Sequence, residues 1–246
     1  MLVLRPQTIA RVLGTIVLLL TLGHIIGGLY VYLRGLTVIP WGVALFHFDH
    51  EANLPSLYSA LALLLAGLLL LAIAHAEKAG RWYRYWLGLG LVFLFLATDE
   101  AVMIHEQLMP VLREAFGLSG LLYFAWVIPY GLGLLGLLVI YARFIFSLPA
   151  KTRNLFLLSG GIYVLGALVI ELFEGAQMEA AGARNLRYQA LMSCEELLEM
   201  IGVILFIYAL SDYIAERLPG LRIGFGNGRS TGAGRPGSIP EHGADP

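Results

Sequence analysis

The chain has 246 residues, of which 59% are apolar and 13% are charged, against roughly 25% charge in an average soluble domain. Sixteen basic and 17 acidic residues leave a formal net charge of −1, which excludes a basic nucleic-acid binder and an acidic disordered protein. The single cysteine, Cys194, excludes an intramolecular disulfide framework and a cysteine-based zinc finger.

A membrane-crossing helix needs about 20 predominantly apolar residues. Six windows meet that length, at about 9–33, 56–76, 85–106, 121–148, 154–178 and 190–214. The fold class expected is therefore all-α: a polytopic membrane protein whose six-helix domain occupies residues 1–218. Arg5 and Arg11 precede the first window, as in a signal peptide, but the apolar run is too long and no small-x-small cleavage site follows. It reads as an uncleaved first helix. The first loop, 34–54, is long and mostly apolar, and is expected in the interface or re-entering the membrane. Asn53 followed by Pro55 predicts a cap and first turn for the second helix. Residues 219–246 hold eight Gly and four Pro, the composition of a disordered tail.

Lys and Arg set orientation. Twelve of the 16 lie on the side of the N-terminus and four, Arg34, Arg113, Arg184 and Arg187, on the other. Both termini are thus expected in the cytoplasm. Trp82, Tyr83, Tyr85 and Trp86 suit a cytoplasmic interface belt, and Tyr123 and Trp126 an outer one.

The acids are more informative. Twelve of the 17 fall in the outer half or the outer loops. Seven sit within the spans: Asp99 and Glu100 on the third, Glu171 and Glu174 on the fifth, and Glu195, Glu196 and Glu199 on the sixth. At 1.5 Å per residue these seven lie roughly 6–14 Å below the expected outer helix ends, so three helices deliver carboxylates to one layer. On the sixth helix the three acids share an arc of about 100°, joined by Met192. On the fifth, Glu171, Glu174 and Met178 share a stripe, and on the third, Asp99, Met103 and Glu106 do. Glu100 and His105 flank that last stripe on opposite sides. Either the helix unwinds near His105, or one of the two faces elsewhere.

An ionised acid at mid-bilayer costs about 2.5–3.5 kcal/mol, so seven paying in full would cost roughly 17–25 kcal/mol. No Lys or Arg falls in the same layer. The acids must be protonated, hydrated in a vestibule, or neutralised by bound cations. The plainest reading is the hydrated acidic vestibule of a non-catalytic membrane protein. The favoured one is a divalent-metal site, because carboxylates with one or a few imidazoles suit Mn, Fe, Zn or Ca. Its expected ligands are Asp99, Glu100, His105, Glu171, Glu174, Glu195, Glu196 and Glu199. His105 and Glu106 are the candidate acid–base residues, and Asp49, His50 and Glu51 a loop lid, with His47 a further source of nitrogen. Helix bundles build two-metal sites from Glu and Glu-x-x-His pairs. Here the i,i+3 pairs, Glu171/Glu174 and Glu196/Glu199, are all-carboxylate. His105–Glu106 lacks the second histidine of a His-Glu-x-x-His zinc motif.

Softer alternatives carry less. Met103, Met109, Met178, Met192 and Cys194 share the outer half, but methionine is usually core filler, and Cys194 reads as a small packing residue. His24 and His75 lie at opposite depths, cannot share a haem, and read as ordinary polar helix residues. Ser193 belongs to no ordered Ser–His–acid set. A proton- or metal-ion-coupled transporter would also use buried acids, yet no inverted repeat relates the two halves. An enzyme acting on a lipid or another membrane-soluble substrate fits headgroup depth better.

The runs FDHEANLPSLYS at 48–59, FLFLATDEAVMIHE at 93–106 and EELLEMIG at 195–202 resemble segments of an uncharacterised bacterial multipass membrane family. The resemblance covers spans two to six and excludes the tail. It implies the six-helix fold and no assigned activity; the expected location is the bacterial inner (plasma) membrane. An excess of 14 Arg over 2 Lys agrees with a GC-rich bacterial genome.

Overall fold

A computed structural model describes residues 5–218, and no β-strand occurs among them. Six helices are long and apolar enough to cross a membrane: Pro6–Leu33, Leu54–Ala76, Tyr83–Val102, Val127–Ser147, Ala150–Ala181 and Leu186–Arg217. In chain order the elements are α1 (Pro6–Leu33), the short α2 (Trp41–Ala44), α3 (Leu54–Ala76), α4 (Tyr83–Val102), α5 (Ile104–Phe116), a 3₁₀ turn (Gly120–Leu122), α6 (Val127–Ser147), α7 (Ala150–Val164), a π-helical segment (Leu165–Ile170), α8 (Glu171–Ala181) and α9 (Leu186–Arg217). The tail expected at 219–246 lies outside the described residues.

The start of α3 follows the predicted chemistry. The Asn53 side chain accepts from Ser56 N–H at 3.1 Å, the Asn53 N–H donates to Ser56 Oγ at 3.0 Å, and Pro55 sits in the first turn. The Asn53 amide also donates to the Ala44 and His47 carbonyls, so one cap fixes both the helix and the preceding loop.

Two expected spans end elsewhere. The third does not run to residue 106. It stops at Val102, where Met103 takes a left-handed conformation (φ 57°, ψ 46°), and α5 begins as a separate helix. Of the two alternatives open for Glu100 and His105, the chain takes the break. The fourth begins at Val127 rather than 121, because residues 120–122 form a 3₁₀ turn whose Gly120 N–H donates to Glu179. The first loop carries α2, and Val43 and Phe46 from it pack on α1 opposite Gly27 and Gly23.

α9 is the central helix, with a run of buried residues from Met200 to Tyr213. α7 approaches it closely at Gly202, where an added Cβ would sit 2.9 Å from Tyr163 N and 3.0 Å from the Ser159 carbonyl. At the end of the bundle remote from the acid layer, Trp86, Phe144, Phe156 and Tyr213 form an aromatic core. Lys151 there pairs with Asp212 at 2.7 Å and Glu216 at 2.8 Å, joining α7 to α9.

His24 is a satisfied core residue, in line with the plain reading of it. Its Nδ1 accepts from Phe48 N–H at 3.2 Å and its Nε2 lies 2.9 Å from Ser193 Oγ, so it ties α1 to the first loop and to α9. Because Nδ1 accepts, Nε2 carries the proton and donates to Ser193, whose hydroxyl in turn donates to the Gln189 carbonyl at 2.6 Å. His24 therefore has no lone pair for the Ser193 proton, and the pair is structural. Cys194 is exposed on the flank of α9 rather than packed, contrary to expectation. His24→Phe keeps the ring stacked on Phe48 but strands the Phe48 N–H and removes the donor to Ser193 Oγ. It is expected to cost about 1–3 kcal/mol, read as a lowered Tm in detergent.

Candidate metal centre

The acid layer is assembled at one end of the bundle by α4, α5, α8, α9 and the first loop. The ends are not level. Counting back at 1.5 Å per residue, Asp99 lies about 5 Å from the end of α4, Glu171 about 15 Å from the end of α8, and Glu199 about 20 Å from the start of α9. α8 and α9 thus project past α4, and equal depth comes from this stagger rather than from aligned helix ends.

The carboxylates and His105 form two groups. In the first, Glu171 and Glu174 of α8 and Glu195 of α9 bring ligand oxygens within 4.8 Å of one another. Glu171 is 6% and Glu174 4% exposed. Trp126 donates its indole N–H to Glu171 Oε1 at 2.9 Å. The Tyr188 hydroxyl lies beside Glu174 but donates its one proton to Asp49 Oδ1 at 2.6 Å. Glu174 Oε2 is left buried with no hydrogen-bond partner.

In the second group, Glu51 of the first loop meets His105 and Glu106 of α5, again with ligand atoms within 4.8 Å. Asp99, buried at the end of α4, accepts from the His105 backbone N–H at 2.9 Å and lies 3.3 Å from His105 Nδ1. Its carboxylate satisfies an orphan N–H in the first turn of α5 and holds the imidazole, leaving Nε2 as the open nitrogen. Pro110 withholds the N–H that would have bonded the Glu106 carbonyl within α5. Burial, and then the Glu106 carboxylate beside it, push Glu51 up from the ordinary carboxylate range.

The two groups adjoin. The His105 ring stands 5.0 Å from that of Trp126, which bonds Glu171. Glu196 and Glu199 lie on α9 between them and belong to neither group of three; Glu196 is within electrostatic reach of Glu100, Glu199, Glu51 and Glu174. Glu100 lines a groove on the flank of α3 and α4. Of the lid residues, Asp49 reaches the first group through Tyr188 and Glu51 enters the second. His50 is exposed, its ring 5.1 Å from that of His47. His47 is buried, with Nδ1 unpartnered. Among the described residues no Lys or Arg pairs with any of the seven span acids.

Three departures from regular backbone surround these groups. Ala52 (φ 56°) and Met103 (φ 57°) are the two non-glycine residues of positive φ among the described residues. One adjoins Glu51, and the other stands between Glu100 and His105. Left-handed backbone costs an ordinary L-residue roughly 1–2 kcal/mol. The third is the π segment Leu165–Ile170, immediately before Glu171, which inserts an extra residue per turn and resets the face that Glu171 and Glu174 present. It also brings Gly166 against α9: an added Cβ would sit 2.8 Å from the Glu195 carbonyl and 3.2 Å from Glu199 Cγ. Strain and π-bulges of this kind gather at functional sites.

Trp126 and Tyr188 are the residues that sequence reasoning missed. Trp126 was expected in an interface belt, and its indole N–H bonds Glu171. The available signal was chemical, since a partly buried indole N–H needs an acceptor.

The fold and site define an all-helical chain with six helices long and apolar enough to cross a membrane and an acid-rich layer at one end. The chain belongs to the family described as a domain of unknown function, DUF8692, whose model matches residues 10–214. That match takes in the first helix, which the sequence resemblance had left out, and stops short of the tail. No curated protein and no solved structure matches the chain.

Proposed function

We propose that this chain is a multipass membrane protein holding a divalent-cation centre at its acid-rich end, and that the centre serves metal-dependent catalysis. The observation that carries the reading is Glu174. A carboxylate oxygen buried beside two other glutamates, without a hydrogen bond, is costly unless a proton or a cation faces it. The donor set fits a cation. Glu171, Glu174 and Glu195 offer hard oxygens suited to Ca or Mn, whereas Glu51, His105 and Glu106 add an imidazole suited to Mn, Fe or Zn. Acceptance of local strain at Ala52, Met103 and residues 165–170, all beside these ligands, supports the same reading.

A cation bound there would supply Lewis acidity or lower the pKa of a water molecule. The chain's own residues do the rest. Trp126 orients Glu171, Asp99 fixes the His105 imidazole with Nε2 open, and Glu106 stands at the exposed rim with His105, where the pair can exchange a proton with a substrate. Asp49, held by Tyr188, closes the first group from the loop side. Glu196 and Glu199 complete the negative field between the groups.

Metal analysis of protein purified without chelator tests the reading directly. Stoichiometric divalent metal is expected, with no ion flux in proteoliposomes. A gradient-driven flux abolished by Glu199→Gln would make the chain a transporter instead.

The excess of Lys and Arg at the opposite end supports an orientation with both termini in the cytoplasm and the centre outside. In a Cys194→Ser background, an impermeant thiol reagent applied to intact cells is expected to label a cysteine at 184 and not one at 151. Equal labelling would refute the orientation.

A further inference from the structure

A groove of about 250 Å³ opens on the flank of the bundle, between the first two turns of α3 and the last turn of α4. Its walls are Ala52, Leu57, Ala60 and Ala101, with Asn53 at one end and Glu100 at the floor. Leu57 is 55% exposed and Ala101 is exposed, so the mouth faces sideways, where the acyl region would lie, rather than off the end of the helices. The small side chains at 52, 60 and 101 keep the slot open.

Its polar chemistry reduces to one group. The Asn53 amide is spent on the Ala44 and His47 carbonyls and its oxygen on Ser56 N–H. The Ser56 hydroxyl accepts from Asn53 N–H and directs its own proton to the Asn53 carbonyl and side-chain oxygens at 3.4 and 3.3 Å. Glu100 alone is left to meet a ligand, and its carbonyl oxygen accepts a hydrogen bond whether or not the group is ionised. Past the left-handed Ala52, which lines both spaces, a second groove of about 140 Å³ contains Glu51 and His50. Glu100 of the first groove is within electrostatic reach of Glu51, His105 and Glu106, so the groove borders the ligand group that these three residues form.

We infer that this groove admits the substrate laterally from the bilayer, and that the substrate is an alkyl-chain amphiphile with a hydrogen-bond-donating head, a hydroxyl or amine, seated on Glu100. The inference rests on the metal-centre reading for what happens next to the head group, but the binding step itself needs no metal.

The test uses the full chain in phosphatidylcholine nanodiscs with a long-chain alcohol that carries a diazirine near the hydroxyl, followed by peptide mapping. Label is expected on residues 52–60 and 100–101. Hexadecanol and hexadecylamine should compete, and hexadecyl methyl ether, which has no donor, should not. Ala101→Trp should fill the mouth and lower labelling at least tenfold, with metal content unchanged; Leu57→Trp should do the same from the other wall. Glu100→Leu should remove the discrimination, so that the ether competes as well as the alcohol. Label spread evenly over lipid-facing positions such as Leu132 and Leu135 of α6, or equal competition by ether and alcohol in the parent, would overturn the groove. Metal measured in the same samples separates the two readings. Specific labelling of a metal-free protein keeps the groove and removes the metal centre, and diffuse labelling of a metal-loaded protein does the reverse.

Discussion

Glu174→Gln is expected to remove the bound cation and lower the melting temperature together. The substitution keeps the shape and burial of the side chain and takes away the charge that completes the group with Glu171 and Glu195. A ligand present at 100 times its Kd stabilises the folded state by about 2.7 kcal/mol, which for a chain of this size is about 5–10 °C in Tm. Chelator should lower the Tm of the parent by a similar amount and leave the variant almost unmoved. The hydrated-vestibule alternative predicts the opposite sign. In a crowd of unpaired carboxylates, neutralising one relieves repulsion, so the variant would be as stable as the parent or more so. Thermal unfolding in detergent with and without chelator, together with metal content, decides between them. A metal-free parent and a stabilised variant would leave only the architecture standing.

Gly166→Val is expected to disable the same centre without touching a ligand. The added Cβ would lie 2.8 Å from the Glu195 carbonyl oxygen and 3.1 Å from Leu198 Cβ, and neither backbone nor Cβ can swing aside as a flexible side-chain end can. The π segment must therefore move off α9 and carry Glu171 and Glu174 away from Glu195. Overpacking of this sort costs about 1–3 kcal/mol, and loss of the cation adds to it. Metal content and Tm should fall together. Gly160→Ala, one and a half turns earlier on α7 with nothing within 4 Å of the new Cβ, is the matched control. There the better helix propensity of alanine should leave stability unchanged or raise it by about 0.5–1 kcal/mol. If Gly166→Val retained full metal content, the close approach of the π segment to α9 would not be what sets the site.

The sequence by itself determined what depends on short stretches of chain. Span count followed from windows of apolar residues, because a helix long enough to cross a bilayer must be apolar along its own length whatever it packs against. The start of α3 followed from Asn53 and Pro55, since a cap is made within a few residues. The gathering of acids at one end followed from counting alternate spans. Only the tertiary structure decided which acids meet. Glu171 and Glu174 join Glu195, whereas Glu51 joins His105 and Glu106, because lateral placement of helices is set by long-range packing that no periodicity records. Depth shifted for a related reason: α8 and α9 overrun α4, and helix ends are fixed by neighbours and loops as much as by composition. The break after Val102 left the weakest trace. Methionine is not a residue that signals left-handed backbone, and at Met103 that conformation accompanies the bond from the His105 N–H to Asp99 at the start of α5. The π segment is equally silent in LGALVI, an ordinary helical string whose extra residue is accommodated where Gly166 lets two helices close on each other. Local free energies choose the elements, and the contacts between them choose the site.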